Sequence, residues 1–221
     1  LGFDLTRFTE NMDEKRNTFR KKYLLDEDEI AIGIIGRLVP IKNHQLFLEA
    51  AKIVLEKTKF KIRFFIIGDG EDRLKIEAKS TELEIPFTDA MLEQKKAPLT
   101  FTSWIKDIDV ACAGLDIIAL TSLNEGTPVS LIEAQAANKP IVSTNVGGIE
   151  NVVIEGVTAL LSHSKTDFVQ FAELLLQLTE NEIKRNEIGR VGWEHVKNKF
   201  HYTRLIRDMA SLYDNLLKHK V

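Results

Sequence analysis

The sequence predicts an α/β fold, a doubly wound parallel sheet of about six strands followed by a helical tail. Three observations predict it. Short runs rich in Ile, Val and Phe alternate with helical patterns, and two of those runs close on glycine, at Gly36 and at Gly68-Asp69-Gly70. At the end of the chain helical patterns follow one another with no strand between them.

The elements follow in order. Ile30–Ile35 is a strand that ends at Gly36. Residues 43–56 place Leu46, Phe47, Ala50, Ala51, Val54 and Leu55 at a helical period. Ile62–Ile67 is the second strand, and residues 71–82 form a charged helix. Leu99–Phe101, residues 116–120 and residues 140–143 are three more strands, and residues 158–161 a sixth. Segment 86–98 exceeds the roughly two to six residues usual between a helix and a strand, and is expected to be an inserted, mobile loop. Three helical patterns then fill residues 166–217. The last, from 202 to 217, carries Leu205, Ile206, Met209, Leu212, Tyr213, Leu216 and Leu217 on a wide face. That face is too apolar to lie alone in water, so it packs on this domain or on one outside the sequence.

Composition narrows the function. A chain of 221 residues with 44% hydrophobic residues can bury a full core, as one large domain or two small ones. A net charge of −3 argues against bulk nucleic-acid binding. Cys112 is the single cysteine, so no disulfide framework is possible; it reads as a small core residue and fits a reducing compartment. No apolar run approaches the roughly eighteen residues of a spanning helix, and no signal peptide is seen, so a cytoplasmic protein is expected. Leu1-Gly2-Phe3-Asp4 is a turn-like opening without an initiator Met, as expected of a piece cut from a longer protein.

The chemistry concentrates in Asn124-Glu125-Gly126-Thr127-Pro128-Val129-Ser130-Leu131-Ile132-Glu133-Ala134. Thr127 suits an N-cap and Pro128 the first helical position, so the helix is expected from Val129 to about Asn138. Its free N–H groups would point out of the carboxyl end of the preceding strand, where anions bind in open α/β sheets. Glu125 would sit at the mouth of that site, and Glu133, eight positions on, lower on the helix among Leu131, Ile132, Ala134 and Ala136. A partly buried carboxylate needs donors, which ribose hydroxyls would supply. Acceptors flanking an anion-binding helix end suit a ligand both polyhydroxylated and phosphorylated, such as a nucleotide sugar. Arg37 and Lys42, five apart in the loop after the first strand, would hold a diphosphate and stabilise it as it leaves.

Other signals are weaker. Gly68-Asp69-Gly70-Glu71-Asp72-Arg73 begins like a dinucleotide fingerprint but lacks its third glycine, and no P-loop is present. His44, His163, His195, His201 and His219 show no metal-ligand spacing and read as surface or helix-face residues; no metal site is expected. Gly147-Gly148 lets backbone come close to either a ligand or another loop. Lys15, Arg16, Arg20, Lys21 and Lys22 form a solvated helix face or a contact for anionic lipid.

Taken as an ordered set, these motifs resemble the C-terminal, donor-binding half of the retaining GT-B glycosyltransferases of family four, the "glycosyltransferases group 1". The resemblance covers nearly the whole chain. It rests on residues 1–8, on Gly36-Arg37-Leu38 with Lys42, on Glu125 and Glu133 separated by seven residues, and on Ala134, Pro140-Ile141-Val142 and Val146-Gly147-Gly148-Ile149. It implies a Rossmann-like half of a GT-B fold, with residues 1–12 as interdomain linker, 13–200 as nucleotide-sugar-binding domain, and 201–221 as a helix packing toward a missing N-terminal acceptor domain. Arg37 and Lys42 would bind the diphosphate, Glu125 the donor sugar near the reacting carbon, and Glu133 the ribose. Backbone at Gly126, Thr127, Val129 and Ser130 would contact sugar and phosphate, and Trp104-Ile105 would border the base. The resemblance further implies metal-free transfer with retention from a UDP-sugar to a glycan or lipid-linked acceptor. It also implies peripheral association of the full-length protein with the inner face of the membrane. Many members have Gly where this chain has Pro128, so one backbone donor is absent. A sugar-nucleotide epimerase of the same architecture and a non-catalytic nucleotide-binding module are the alternatives.

Overall fold

Residues 1–218 are described by the structure, a computed structural model. Seven parallel strands form one sheet: β1 (Ile30–Ile35), β2 (Ile62–Ile67), β3 (Phe87–Asp89), β4 (Leu99–Phe101), β5 (Ile117–Leu120), β6 (Ile141–Thr144) and β7 (Ala159–Ser162). Their spatial order is β3-β4-β2-β1-β5-β6-β7. The central pair is in register with Ile32 opposite Phe64, and Ile32 also lies opposite Ile117 on the other side. Every residue of β1 and β2 is buried, as expected of strands covered on both faces.

Alternation along the strands splits the core in two. Phe65 faces α1 (Met12–Lys22), where its ring lies 5.2 Å from Phe19, in a core shared with α4 (Ile108–Gly114), α5 (Val129–Ala136) and α8 (Gly192–Phe200). Phe64 faces the other way, 5.6 Å from Phe47 of α2 (His44–Lys57), in a core shared with α3 (Arg73–Glu82), α6 (Phe168–Thr179) and α7 (Glu182–Arg190). Cys112 is fully buried in the first core, and burial pushes its thiol pKa well up, so it is inert packing.

The first residues meet the last helix, α9 (Tyr202–Lys218). Phe3 N–H donates to Phe200 O, and Tyr202 N–H donates to Phe3 O. Leu5 and Phe8 go into the core, each 1% exposed. By contrast α9 buries none of its residues; Ile206, Leu212, Tyr213, Leu216 and Leu217 are all at least half exposed. Residues 219–221, including His219 and the end of the expected 201–221 helix, lie outside the described residues.

Several expectations need correction. The sheet has seven strands and not six, because part of the expected loop 86–98 is the edge strand β3. Three residues are too few to show a period, but Phe87 packs edge-on against Phe101 at 5.3 Å and Asp89 pairs with Arg73. The tail holds four helices and not three. Gly189 and Gly192 press on the backbone of Asn138 and Gln135, and the chain breaks between α7 and α8 to bring both that close. Pro128, not Thr127, is the N-cap of α5, with extended backbone at ψ 105°, and its carbonyl accepts from Leu131 and Ile132. Helix α5 also stops short of Asn138, which adopts a left-handed φ of 52° and ends the run. His44 and His201 are buried, at 3% and 9% exposure. Three of the five clustered basic residues also serve the fold: Lys15 pairs with Asp109, and Arg16 and Arg20 both pair with Asp116.

Candidate functional site

The chain leaves β1 toward β2 on one side of the sheet and leaves β5 toward β6 on the other. The crevice between the carboxyl ends of β1 and β5 is therefore the topological switch point, where open α/β sheets bind ligands. Two loops meet there and are bonded to each other. Thr121 Oγ1 reaches the carbonyls of Lys42 and Asn43, both at 3.0 Å, and Leu123 N–H donates to Ile41 O at 2.8 Å. Lys42 Nζ then donates to Glu125 Oε1 at 2.5 Å, and Ser122 Oγ donates to the same oxygen at 2.6 Å. This ion pair spans the switch point, with both side chains largely shielded from solvent. Arg37, in the same loop as Lys42, is exposed, and no carboxylate among the described residues pairs with it.

Glycines support these loops from behind. Gly147 has a left-handed φ of 55°, and a Cβ there would stand 2.1 Å from Glu125 O. A Cβ on Gly148 would stand 1.8 Å from Gly126 O, and Gly148 N–H donates to Glu125 O at 2.8 Å. Of the two partners open to Gly147-Gly148, it is the 124–126 loop that they touch. On its other side Gly126 is exposed, and a Cβ there would meet nothing within 4 Å. Gly68 plays the same part for the first loop, since a Cβ would stand 1.9 Å from Gly36 O. Leu38 N–H donates to Asp69 O, and Asp69 Oδ2 accepts from Ser103. The incomplete glycine fingerprint is thus a buttress for the Arg37 loop.

Helix α5 points its start at this crevice with no side-chain cap. Thr127 is exposed, Val129 is 40% exposed and Ser130 is half-buried, so the first N–H groups of the helix open to solvent. Glu133 lies deeper, its side chain 18% exposed. Burial pushes its carboxyl up to about 7, against the pull of Arg7, whose Nη2 is 3.9 Å away; Asp109 adds to the rise. Trp104 and Ile105 follow β4, two strands from β1, roughly 10 Å across the sheet. Trp104 is 59% exposed at the rim, whereas Ile105 packs onto the α1-side core. The structure therefore brings Arg37, Lys42, Glu125, Gly126 and the start of α5 to one crevice, with Glu133 below it and Trp104 at its edge. Sequence reasoning missed Ser122 and Arg7. Ser122 sits three positions before Glu125 and could have been suspected; Arg7, far away in the chain, carried no signal.

No group of three or more His, Cys, Asp and Glu positioned to hold a metal occurs among the described residues. None of their helices is long and apolar enough to cross a membrane. A cleft of about 560 Å³ opens at the opposite, amino end of the strands, beside Arg16, Asp116, Lys139 and Arg185. Within it Arg16, Asp116 and Lys139 are bonded to one another or to backbone.

A doubly wound parallel sheet with an uncapped helix start and the Lys42–Glu125 pair at its switch point defines a Rossmann-like α/β domain. The sequence profile described as "Glycosyl transferases group 1" matches residues 15–194, and the chain belongs to that family. It is 28% identical over 203 residues to the Staphylococcus aureus capsular polysaccharide biosynthesis glycosyltransferase CapM, covering 91% of this chain and 50% of that protein. It is 25% identical over 221 residues to the Escherichia coli UDP-Gal:alpha-D-GlcNAc-diphosphoundecaprenol alpha-1,3-galactosyltransferase, covering 99% of this chain and 54% of that protein. The chain thus spans about half the length of these curated relatives. Among solved structures, Anabaena Alr3699/HepE in complex with UDP and glucose superimposes with a TM-score of 0.80 at 20% identity, over 96% of this chain and 55% of that one. The C-terminal domain of the group 1 glycosyl transferase LpcC from Francisella tularensis gives 0.71 at 24% identity, over 90% of this chain and 99% of that one. The fold is the Rossmann-like α/β architecture of GT-B glycosyltransferase structures.

Proposed function

We propose that this chain is the donor-binding half of a retaining glycosyltransferase that takes sugar from a nucleoside diphosphate sugar, with UDP as the carrier. The observation that carries the reading is the Lys42–Glu125 pair across the switch point, beside the uncapped start of α5. Arg37 and Lys42 hold the diphosphate and stabilise the charge that grows on it as the glycosidic bond breaks. N–H groups at Thr127, Val129 and Ser130 share that charge. Pro128 has no N–H to offer. Glu125, anchored through one oxygen by Ser122 and Lys42, holds the sugar hydroxyls near the reacting carbon. Glu133 accepts from the ribose, and the loop at Trp104-Ile105 borders the base. The acceptor, a glycan or lipid-linked sugar, enters from the face the diphosphate leaves, so the anomeric configuration is kept.

A UDP carrier is supported by the names of a relative and a structural neighbour, which print UDP-Gal and UDP. Residues 1–12 join this half to an acceptor-binding half, and the bare apolar face of α9 packs toward it. The face is continuous with the point where chain entry and exit meet at Phe3 and Tyr202. Full-length protein would then work at the cytoplasmic face of a membrane, where lipid-linked acceptors are. The isolated chain should bind donor weakly and transfer little.

Calorimetric titration of this chain with UDP, GDP and ADP tests the reading. Binding of one nucleotide that Arg37→Ala weakens at least tenfold is the expected result; indifference of the binding to Arg37→Ala and Lys42→Ala would overturn it. In the full-length protein, Glu125→Ala should abolish turnover while leaving nucleotide affinity nearly unchanged. An equal loss of both would instead favour a nucleotide-binding module.

A further inference from the structure

The donor-site reading gives Glu133 a role but leaves out the cation beside it. Its carboxylate is largely buried, yet among the described residues it accepts no side-chain hydrogen bond. Its one cationic neighbour is Arg7, with Nη2 at 3.9 Å, too long for a direct hydrogen bond. Arg7 comes from the entry segment and not from the sheet. That segment is fastened on every side: Leu5 and Phe8 are buried, Asp4 accepts from Thr6 N–H, and Lys15 Nζ donates to Arg7 O. The guanidinium itself remains half exposed and lies over the Phe8 ring at 5.1 Å. A fixed backbone with a free head places a cation beside Glu133 without using up the carboxylate's lone pairs.

We propose that Arg7 is a positioning residue for the donor, holding the Glu133 carboxylate ready to accept the ribose hydroxyls. The inference rests on the donor-site reading and adds a residue to it. Other groups face Glu133 from the packed elements. Asp109 and Cys112 come from α4, and both disfavour its charge or are neutral; Lys15 from α1 is committed to Asp109 at 3.0 Å. Arg7 is therefore the one cation among them aimed at Glu133 itself. Because Arg7 sits in the segment that would join the two halves, a movement of that segment would change the ribose contact directly.

The test is UDP titration of this chain from pH 5.5 to 9 in wild type, Arg7→Met, Arg7→Lys and Glu133→Gln. Comparison between variants cancels the nucleotide's own titration. Wild-type affinity should fall as pH drops through about 7, where Glu133 takes a proton. Arg7→Met should raise that midpoint by about one unit, roughly a tenfold loss of affinity at pH 6.5 and a smaller one at pH 9. Arg7→Lys should restore it, and Arg7→Met should add nothing on the Glu133→Gln background. A loss that is equal at every pH, or that persists on that background, would overturn the proposal in favour of a merely structural Arg7. The carboxyl carbon resonance of Glu133 gives the same midpoint without nucleotide, so an unmoved resonance in Arg7→Met also overturns it. If the wild type binds none of the three nucleotides, it is the donor-site reading that fails.

Discussion

The two ends of the sheet both carry charged side chains and treat them differently. At the amino end, Asp116 accepts from Arg16 at 2.7 Å, from Arg20 at 3.3 Å and from Ala31 N–H at 2.8 Å. Lys139, whose pKa burial lowers to about 8, donates to Ala113 O at 2.9 Å. Each of these charges is bonded into the fold. At the carboxyl end Lys42 and Glu125 hold each other, but no carboxylate among the described residues pairs with Arg37, the start of α5 is uncapped, and Glu133 is buried with only a loosely held counter-ion. Charges that stabilise a fold are satisfied by it, whereas charges kept for a ligand are satisfied only when it arrives. By that contrast the switch-point crevice is the better candidate site, and the cleft of the amino end is a by-product of how the helices meet.

The largest expected effect breaks the comparison at its amino end. Asp116→Ala leaves Arg16 and Arg20 uncompensated and frees Ala31 N–H, so urea unfolding should show a loss of about 3 kcal/mol. A loss under about 1 kcal/mol would mean that this network is no more structural than the crevice. At the other end Arg37→Ala should change stability by less than about 0.5 kcal/mol, because the side chain is exposed and unpaired. Its nucleotide affinity should nevertheless fall about ten- to a hundredfold, the range for a charge-assisted contact.

Glu133 sharpens the contrast through pH. Its folded carboxyl is raised from 4.5 to about 7, so between those values the folded chain holds a proton that the unfolded chain has released. Stability from this group is full below about 4.5, declines as pH rises to 7, and stays low above it. Glu133→Gln removes that cost. It should stabilise the chain by about 2 kcal/mol at pH 8, with the gain vanishing toward pH 4.5, measured by denaturant melts across that range. No gain at pH 8 would place a donor beside Glu133 that the structure does not show. The smallest effect belongs to Lys21 and Lys22, the exposed members of the basic cluster, where alanine should stay within about 0.5 kcal/mol.

Legibility followed the length of the signal. Strands β1 and β2 were readable to the residue because six-residue runs dominated by Ile and Phe, each closed by glycine, admit few alternatives even with Arg63 inside the second. β3 was not, since three residues at an edge owe their conformation to Phe101 and Arg73, contacts that no local pattern encodes. The start of α5 was read one residue out of phase. Local propensity favoured Thr127 as cap, but Pro128 takes that place without a side-chain cap, behind a 124–126 loop packed against Gly147 and Gly148. In the site, Arg37, Lys42, Glu125 and Glu133 stood out because their spacing repeats a family pattern. Arg7 did not, being joined to Glu133 only by folding.

By itself the sequence determined the fold class, the family and which acids and bases are candidates. Those depend on periodicity, on glycines at strand ends and on motif spacing, all of which are local along the chain. Tertiary structure alone decided which of the candidates are free. Arg16 and Arg37 are the same residue type, and although their neighbours put one in a basic helix and the other in a loop after a strand, nothing near either in the chain says whether it is paired. One meets Asp116, a hundred residues away, and becomes part of the fold. The other faces solvent at the switch point and remains available. Whether a charge is satisfied depends on partners brought close through space, and only folding supplies them.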